Sequence, residues 1–299
     1  MKITGLIRSM RLRTLPLSES GVLLGMFIAM TKVDVTVPVV IFLLLTTALL
    51  QILSNLSNEL GDTLHGTDTA ERQGMHYSIQ EGDMTIRQMK LYIAVICGAC
   101  CFSGLTMIWF SFGTFLAVEP VALIVLGAAA IWAAMHYTLG SNPYGYRGLG
   151  DLFVFIFFGL VSVFGGYYVC SHDLSDLLVL LPACGIGCFS IGVLNVNNIR
   201  DMKTDAATRT TVAMKMGEVG ARRYQTVLVI LGWLFLIIFT AIRFSSWTEW
   251  LYLVTIPLFV IHLRNVWHRH DRELDPMLPM LVMSTFATVL LFGAGLFLR

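Results

Sequence analysis

The sequence predicts an all-α polytopic membrane protein with about nine transmembrane helices. Of its 299 residues, 56% are hydrophobic and only 13% are charged, and the mean hydropathy is +0.75. A soluble domain of this length rarely carries so little charge. Nine apolar stretches approach the roughly 20 residues that a helix needs to cross a bilayer. These stretches fall near 16–31, 37–60, 91–112, 117–139, 151–170, 175–198, 224–243, 247–263 and 277–298.

Basic residues are distributed unequally between the two sides of the predicted bundle. With the N-terminus inside, 17 of the 20 Lys and Arg residues fall in inner segments, and only Lys32, Arg243 and Arg299 fall in outer ones. Cytoplasmic loops of membrane proteins carry an excess of Lys and Arg. The distribution therefore predicts a cytoplasmic N-terminus, and it supports the count of nine independently.

Composition argues against several other classes of protein. The net charge of +1 provides no basic field for a nucleic acid, so we expect no nucleic-acid partner. The six cysteines lie inside apolar stretches or, for Cys170, at the end of one. We therefore expect small buried side chains rather than a redox or metal pair, although Cys97 and Cys100 have CxxC spacing. The N-terminal residues lack a compact apolar segment with a small-residue cleavage site, and we expect no removable signal peptide.

Two predicted inner loops, about 61–90 and 199–223, are unusually long and polar, and the first follows an acidic motif. The motif ends the second apolar stretch and reads NLSNELGDTLHGTD over 55–68. Asn58 and Asp62 are four residues apart and share one face of a helix, and Asp68 follows six residues later. Loops carry function when a rigid scaffold positions them, so chemistry is expected at these two loops.

A second motif, NVNNIRDMKTD over 195–205, repeats this pattern at the end of the sixth stretch. Asn197, Asp201 and Asp205 are again spaced by four residues, and both Asn58 to Asn197 and Asp62 to Asp201 are separated by 139 residues. The equal offset predicts a parallel internal repeat of four helices, with the ninth helix extra.

Carboxylate and amide oxygens from two such clusters, at one membrane surface, suit a hard divalent cation. Magnesium binds proteins through one or two carboxylates together with water and substrate phosphates. A diphosphate held there becomes a better leaving group because the metal neutralises its developing charge. Single motifs of this kind are often only solvated loop residues, but two copies at equal depth favour a site. The cations that could bind the remaining phosphate oxygens are Arg147, Arg200, Lys203 and Arg209.

At these residues the sequence resembles the UbiA superfamily of intramembrane prenyltransferases over essentially the whole chain. The first family motif, N-x-x-x-D-x-x-x-G-x-D, is matched by Asn58, Asp62, Gly66 and Asp68, and the second by Asn197, Asn198, Arg200, Asp201 and Asp205. Tyr146 and Arg147, in YGYRGLGDLFVFIFFG, stand in place of a family Tyr and basic residue. The sequence departs from the family after the first motif, where Met75 and Tyr77 replace a Pro and an Arg. Arg72 could substitute for that arginine.

Two segments, YRGLGDLFVFIFFG and LDPMLPMLVMSTFATVLLFG, resemble the branch that prenylates 1,4-dihydroxy-2-naphthoate in menaquinone biosynthesis. The resemblance implies one domain over 1–299 with its helices around a central cavity, in the bacterial cytoplasmic membrane. It implies Mg²⁺ on Asp62, Asp68, Asp201 and Asp205, assisted by Asn58 and Asn197, a polyprenyl diphosphate donor, and an allylic cation protected from water. Tyr146 and Arg147 are expected at the reacting groups, and Arg147 could bind either the diphosphate or the acceptor carboxylate. The residues expected on the diphosphate are Asn58, Asn197, Asn198, Arg200, Lys203, Arg209 and Arg72.

Two alternatives remain open from the sequence. The acceptor could be 4-hydroxybenzoate, homogentisate or a haem precursor, since the acidic motifs are shared across the superfamily. The carboxylates could instead serve an ion-coupled secondary transporter. Transporters commonly place such groups in broken helices at the membrane midplane, whereas here they lie at the ends of helices, which disfavours that class.

Overall fold

The computed structural model describes residues 3–66, 78–206 and 208–299, and within these ranges all regular structure is helical. Asp68 and Arg72 lie outside the described residues. The helices are α1 (Ile3–Met10), α2 (Leu15–Met30), α3 (Val37–Leu64), α4 (Ile86–Phe112), α5 (Val118–His136), α6 (Gly150–Val154), α7 (Gly166–Ser171), α8 (Leu180–Arg200), α9 (Met202–Asp205), α10 (Val212–Ile242), α11 (Ile256–His268) and α12 (Met277–Phe297).

Eight helical segments in the described part are long and apolar enough to cross a membrane, so the chain is an integral membrane protein. One of them, Gly150–Ser171, joins α6 and α7 through a π-helix over Phe155–Gly165. The predicted stretch 16–31 forms α2, whose 16 residues make it shorter than the other eight. The count of nine spans, the internal repeat and the cytoplasmic N-terminus stay predictions.

The second polar segment is more ordered than expected for a loop. Residues 202–205 form α9, and α10 begins at Val212 rather than near 224. The Thr211 hydroxyl accepts a hydrogen bond from the Met214 N–H at 3.2 Å, which satisfies one of the unpaired donors that every helix start exposes. A positive φ of 69° at Gly217 then bends the helix, and glycine adopts this conformation without steric cost.

Close packing of α2 joins the start of the chain to the rest of the bundle. A Cβ at Gly25 would lie 2.0 Å from the Val163 carbonyl oxygen, and one at Gly21 would lie 2.1 Å from Ser162 Oγ. These two glycines therefore let α2 approach the Gly150–Ser171 helix, which is the packing that the GxxxG spacing predicts. Another face of α2 packs on α12, so the first long helix contacts the last.

The three cations predicted on the outer side form ion pairs around one cavity, at the end of the bundle where α3 begins. Asp176 accepts hydrogen bonds from Lys32 Nζ, at 2.7 Å, and from Arg243 Nη2. Arg299 Nη1 lies 3.2 Å from Glu249 Oε1, and Lys32, Arg243, Glu249 and Arg299 line a common cavity. Asp176 thereby joins the ends of α2 and α10, and the separate Arg299–Glu249 pair lies at the end of α12.

Replacing Asp176 with asparagine is expected to destabilise this end of the bundle. The carboxylate is only 7% exposed, and its loss leaves the partly buried Arg243 without its carboxylate partner and Lys32 with Asp173 alone, at 3.4 Å. We expect the free energy of unfolding to fall by about 1 to 3 kcal/mol. Thermal unfolding in detergent measures the effect, with Asp34→Asn, at an exposed position, as the matched control. Equal midpoints for the two variants would contradict the role given to Asp176.

Candidate functional site

An apolar cavity of about 340 Å³ runs beside α3 and ends at the first acidic motif. Leu43, near the start of α3, and Asn58, near its end, both line the cavity. Because these residues are 15 positions apart on one helix, the cavity extends for about 22 Å along the helix axis. Asp62 lies one turn beyond Asn58, so the acidic motif stands at one end of a long apolar space.

The opposite wall of the cavity is aromatic. Phe153, Phe157 and Phe158 line it, whereas Phe155 packs against Gly187 on α8. Tyr144 stacks on Phe153 with ring centroids 3.9 Å apart. Three of the four phenylalanines in the FVFIFFG segment therefore face the cavity, so this segment is part of its wall rather than an ordinary lipid-facing surface.

The two acidic motifs, distant in the sequence, meet at Arg209. Arg209 Nη2 lies 3.6 Å from Asp62 Oδ1, and Arg209 Nε lies 3.1 Å from Asp205 Oδ2. Burial opposes the charge of Arg209, but the carboxylates of Asp62 and Asp205 outweigh it and raise the pKa of the guanidinium. A permanent cation therefore stands between one carboxylate of each motif.

Tyr146 completes this contact. Its hydroxyl donates a hydrogen bond to Asp62 Oδ1 at 2.7 Å, and its ring lies 5.2 Å from the Arg209 guanidinium carbon. The His65 ring packs edge-on against Tyr146, with centroids 5.3 Å apart. The Thr210 N–H donates to the Tyr146 carbonyl oxygen at 3.0 Å. This bond holds the segment that carries Arg209 against the turn that carries Tyr146.

Arg200 holds the second motif. Its Nε and Nη2 donate to the two oxygens of Asp201 at 2.8 and 2.6 Å, and Nη2 also donates to Asn197 Oδ1 at 2.8 Å. Its Nη1 donates to Asp275 Oδ1 at 2.7 Å. Asp201 and Asp205 are one helical turn apart, since the Asp205 N–H donates to the Asp201 carbonyl oxygen. Both motifs therefore present oxygens whose negative charge is balanced by arginine.

The remaining predicted residues are placed less centrally. The Lys203 side chain is 73% exposed and pairs with Asp271 at 3.0 Å, and Arg147 is exposed. Asn198 is buried. The described residues contain no group of three or more His, Cys, Asp or Glu side chains close enough to bind a metal ion. Asp68 and Arg72 belong to 67–77, so these two site predictions cannot be compared with the structure.

Several residues of the site were not singled out from the sequence. Gln51 lines the cavity with Asn58 and with Asn55, the first residue of the motif, and the spacing of i, i+4 and i+7 could have identified Gln51 as part of the same face of α3. Asp275 belongs to the LDPMLP segment, whose single carboxylate was an available signal. Glu59, inside the first motif, accepts a hydrogen bond from the Ile79 N–H at 2.9 Å, which gives this side chain a backbone partner.

Comparison with known proteins decides the family. A model of the UbiA prenyltransferase family matches residues 20–285. The chain belongs to the UbiA prenyltransferase family. Solved structures of UbiA homologues confirm the fold of this chain. The apo structure of a UbiA homologue from Aeropyrum pernix K1 aligns with 100% of this chain and 98% of its own, with a TM-score of 0.67 and 16% identity. A UbiA homologue from Archaeoglobus fulgidus bound to DMAPP and Mg²⁺ covers 96% of this chain and 99% of its own, with a TM-score of 0.65 and 10% identity.

Curated relatives within the UbiA family are closer in sequence. The 1,4-dihydroxy-2-naphthoate octaprenyltransferase of Escherichia coli (strain K12) is 38% identical over 294 residues, which cover 98% of this chain and 94% of that protein. The protein of the same name from Haemophilus influenzae is 37% identical over 86% of this chain and 83% of its own. Membership of a transferase family removes the support for the transporter alternative.

Proposed function

We propose that this protein transfers a polyprenyl group from a polyprenyl diphosphate to 1,4-dihydroxy-2-naphthoate, with loss of the carboxylate, in menaquinone biosynthesis. The observation that carries the proposal is the position of Arg209 between Asp62 and Asp205, at the acidic end of an apolar cavity about 22 Å long. A charged diphosphate and a long hydrocarbon chain need these two environments side by side. The similarity to naphthoate prenyltransferases supports the choice of acceptor. The place of action is then the bacterial cytoplasmic membrane.

The acidic end provides carboxylate and amide oxygens, the ligand type that Mg²⁺ prefers, although no three carboxylates of the described residues lie close enough together to bind the ion as they stand. Oxygens of Asp62 and Asp205 already surround one cation, the Arg209 guanidinium, and Asp201 lies one turn from Asp205. We assign the metal to Asp62, Asp201 and Asp205 with Asn58 and Asn197, and Asp68 is proposed as a further ligand. When bound, the metal would neutralise charge on the leaving diphosphate.

The reaction requires the donor to ionise and the acceptor to attack before water does. The C–O bond of the allylic diphosphate breaks, and its electron pair leaves with the diphosphate. A ring carbon of the naphthoate forms the new C–C bond, and the carboxylate leaves as CO₂ while its bonding electron pair stays with the ring. Arg209 and Arg200 contact the carboxylates that would hold the metal, and we assign these two arginines to the diphosphate oxygens. Tyr146 positions Asp62 through its hydrogen bond.

The cavity wall has a second task, which is to exclude water from the allylic cation. Phe153, Phe157 and Tyr144 present aromatic surfaces to the cavity. Such surfaces provide apolar area, and their electron-rich faces attract a cation without reacting as water would.

Prenyl transfer by the purified protein tests the proposal. We expect product from a long-chain prenyl diphosphate and 1,4-dihydroxy-2-naphthoate with Mg²⁺, and none when EDTA replaces the metal. The same assay with 4-hydroxybenzoate and homogentisate tests the acceptor. Product from either of these alone would overturn the naphthoate assignment and keep the donor chemistry. No product from any aromatic acceptor, with protein whose thermal unfolding shows that it is folded, would overturn the proposal as a whole.

A further inference from the structure

Two described residues of the cavity wall, Gln51 and Ser162, carry a buried side-chain oxygen without a hydrogen-bond partner, and Gln51 lies on the helix that carries the first acidic motif. Gln51 lines the cavity on the same face of α3 as Asn55 and Asn58. Its side chain is buried, with the residue only 9% exposed, and its carbonyl oxygen Oε1 accepts no hydrogen bond. Leaving a buried acceptor unpaired is unfavourable, so a ligand that donates a hydrogen bond to it would bind more tightly.

The neighbouring residues fix which end of the Gln51 amide is unpaired. Gln51 Nε2 donates to Thr14 Oγ1 at 3.1 Å and to Asn55 Oδ1 at 3.3 Å. Thr14 Oγ1 donates its own proton to the Arg11 carbonyl oxygen at 2.9 Å. Asn55 Nδ2 donates hydrogen bonds to the Met10 carbonyl oxygen and to Thr14 Oγ1. If the amide were rotated, Gln51 Oε1 would face two oxygen acceptors. The network therefore orients Oε1 as the acceptor that remains.

Because Oε1 needs a hydrogen-bond donor, only some groups of the two substrates can bind to it. An ionised diphosphate and a carboxylate only accept hydrogen bonds, and a prenyl chain makes none. The ring hydroxyls of a dihydroxynaphthoate are donors. Gln51 lies seven residues before Asn58, or about 10 Å along the helix, which leaves room for a bicyclic ring between Gln51 and the acidic end. The stacked rings of Tyr144 and Phe153, 3.9 Å apart by centroid, line the same cavity, and aromatic walls favour aromatic ligands.

We infer that Gln51 is a specificity-determining residue whose Oε1 accepts a hydrogen bond from a ring hydroxyl of the aromatic acceptor. This inference rests on the proposed function. The hydrogen bonds among Thr14, Asn55 and Gln51 would then hold Gln51 Oε1 in place as a hydrogen-bond acceptor that faces the cavity. The hydrogen bond also orients the naphthoate. A carboxylate beside Oε1 would place two hydrogen-bond acceptors against each other, so the carboxylate of the naphthoate lies away from Gln51.

Hydroxyl-deleted analogues test the inference. We would measure 1-hydroxy-2-naphthoate and 4-hydroxy-2-naphthoate as competitive inhibitors against 1,4-dihydroxy-2-naphthoate in wild-type protein and in Gln51→Met, which keeps the side-chain length and removes the acceptor. In wild type we expect the analogue that lacks the bound hydroxyl to bind about 10- to 100-fold more weakly than the substrate, the usual cost of leaving a buried polar group unpaired. In Gln51→Met we expect this ratio to approach 1, with KM for the naphthoate raised by a similar factor and KM for the prenyl diphosphate unchanged.

A purely structural role would give a different result. If Gln51 only supports Thr14 and Asn55, Gln51→Met changes both KM values or the unfolding midpoint and leaves the analogue ratio as in wild type. Ser54→Ala, at another polar position of the cavity wall, is the matched control and should leave the ratio unchanged. Wild-type protein that binds both analogues as tightly as the substrate would overturn the inference even if Gln51→Met does not fold. Wild-type protein that turns over no naphthoate would overturn the proposed function, and the inference would fall with it.

Discussion

Asp62→Asn and Asp201→Asn are each expected to lower kcat/KM for prenyl transfer by roughly 10²- to 10³-fold at saturating Mg²⁺. Asparagine keeps the size of the side chain and can still accept the hydrogen bond from Tyr146 or Arg200. It removes the negative charge that binds the metal and, through it, the diphosphate. For Asp62→Asn the loss should therefore appear in the transfer rate while the thermal unfolding midpoint stays close to that of wild type. Asp201→Asn should also lower the midpoint, because it leaves the buried Arg200 with Asp275 as its only carboxylate partner among the described residues.

The matched control for these two variants is Glu81→Gln. Glu81 is an exposed carboxylate in the segment that leads into α4, so it tests whether any loss of negative charge in this part of the chain slows the reaction. Its expected activity is that of wild type. Retention of more than a tenth of wild-type activity by Asp62→Asn or Asp201→Asn would be incompatible with a metal held by the two motifs.

The second large effect of a substitution on kcat/KM is expected at Ala130, a small residue of α5 that lines the cavity. The Thr138 hydroxyl donates to Ser57 O at 3.0 Å, so the end of α5 lies beside the acidic end of α3. Ala130 is eight residues before Thr138, about 12 Å along the helix, and its side chain therefore lies where the second and third isoprene units would pass. Ala130→Trp should lower kcat/KM for a long-chain donor by at least about 10²-fold, or about 2.7 kcal/mol.

Donor length separates obstruction of the cavity from general damage to the protein. Dimethylallyl diphosphate ends before Ala130, so its transfer by Ala130→Trp should fall much less than transfer from a long-chain donor. Ala129→Trp, one position away and exposed on the outside of α5, is the matched control and should leave both donors unaffected. An equal loss with both donors in Ala130→Trp would show that the chain does not follow this path.

The membrane class, the helices and the two motifs could be predicted from the sequence because they depend on local patterns. An apolar stretch of about 20 residues has few soluble alternatives, and four-residue spacing places Asn58 and Asp62 on one helix face wherever the helix lies. The positions at which helices begin in polar segments were predicted less well. Residues 212–223 are charged enough to read as a loop, yet they form the first turns of α10, because the Thr211 cap and the kink at Gly217 depend on backbone geometry.

The meeting of the motifs through Arg209 could not be predicted in the same way. It depends on the hydrogen bond between Thr210 and Tyr146, residues 64 positions apart, and no local pattern encodes such a contact. The position of the cavity is equally a matter of packing. Small residues of α5 leave the space beside α3 open, whereas Phe189, Trp233 and Phe259 pack ring against ring among α8, α10 and α11. Both halves of the sequence are similarly apolar, so composition does not show which half packs tightly and which half contains the cavity.

The most direct test of the central claim, that the two acidic motifs bind a prenyl diphosphate through Mg²⁺, is equilibrium binding of a prenyl thiolodiphosphate, whose C–S bond resists ionisation. The measurement is made on wild-type, Asp62→Asn and Asp201→Asn proteins, with Mg²⁺ and with EDTA. We predict that wild-type binding weakens at least about 10-fold without the metal, and that each variant binds with Mg²⁺ only as weakly as wild type binds with EDTA. Binding by wild type that is equally tight in EDTA, or binding by both variants that matches wild type with Mg²⁺, would contradict the claim.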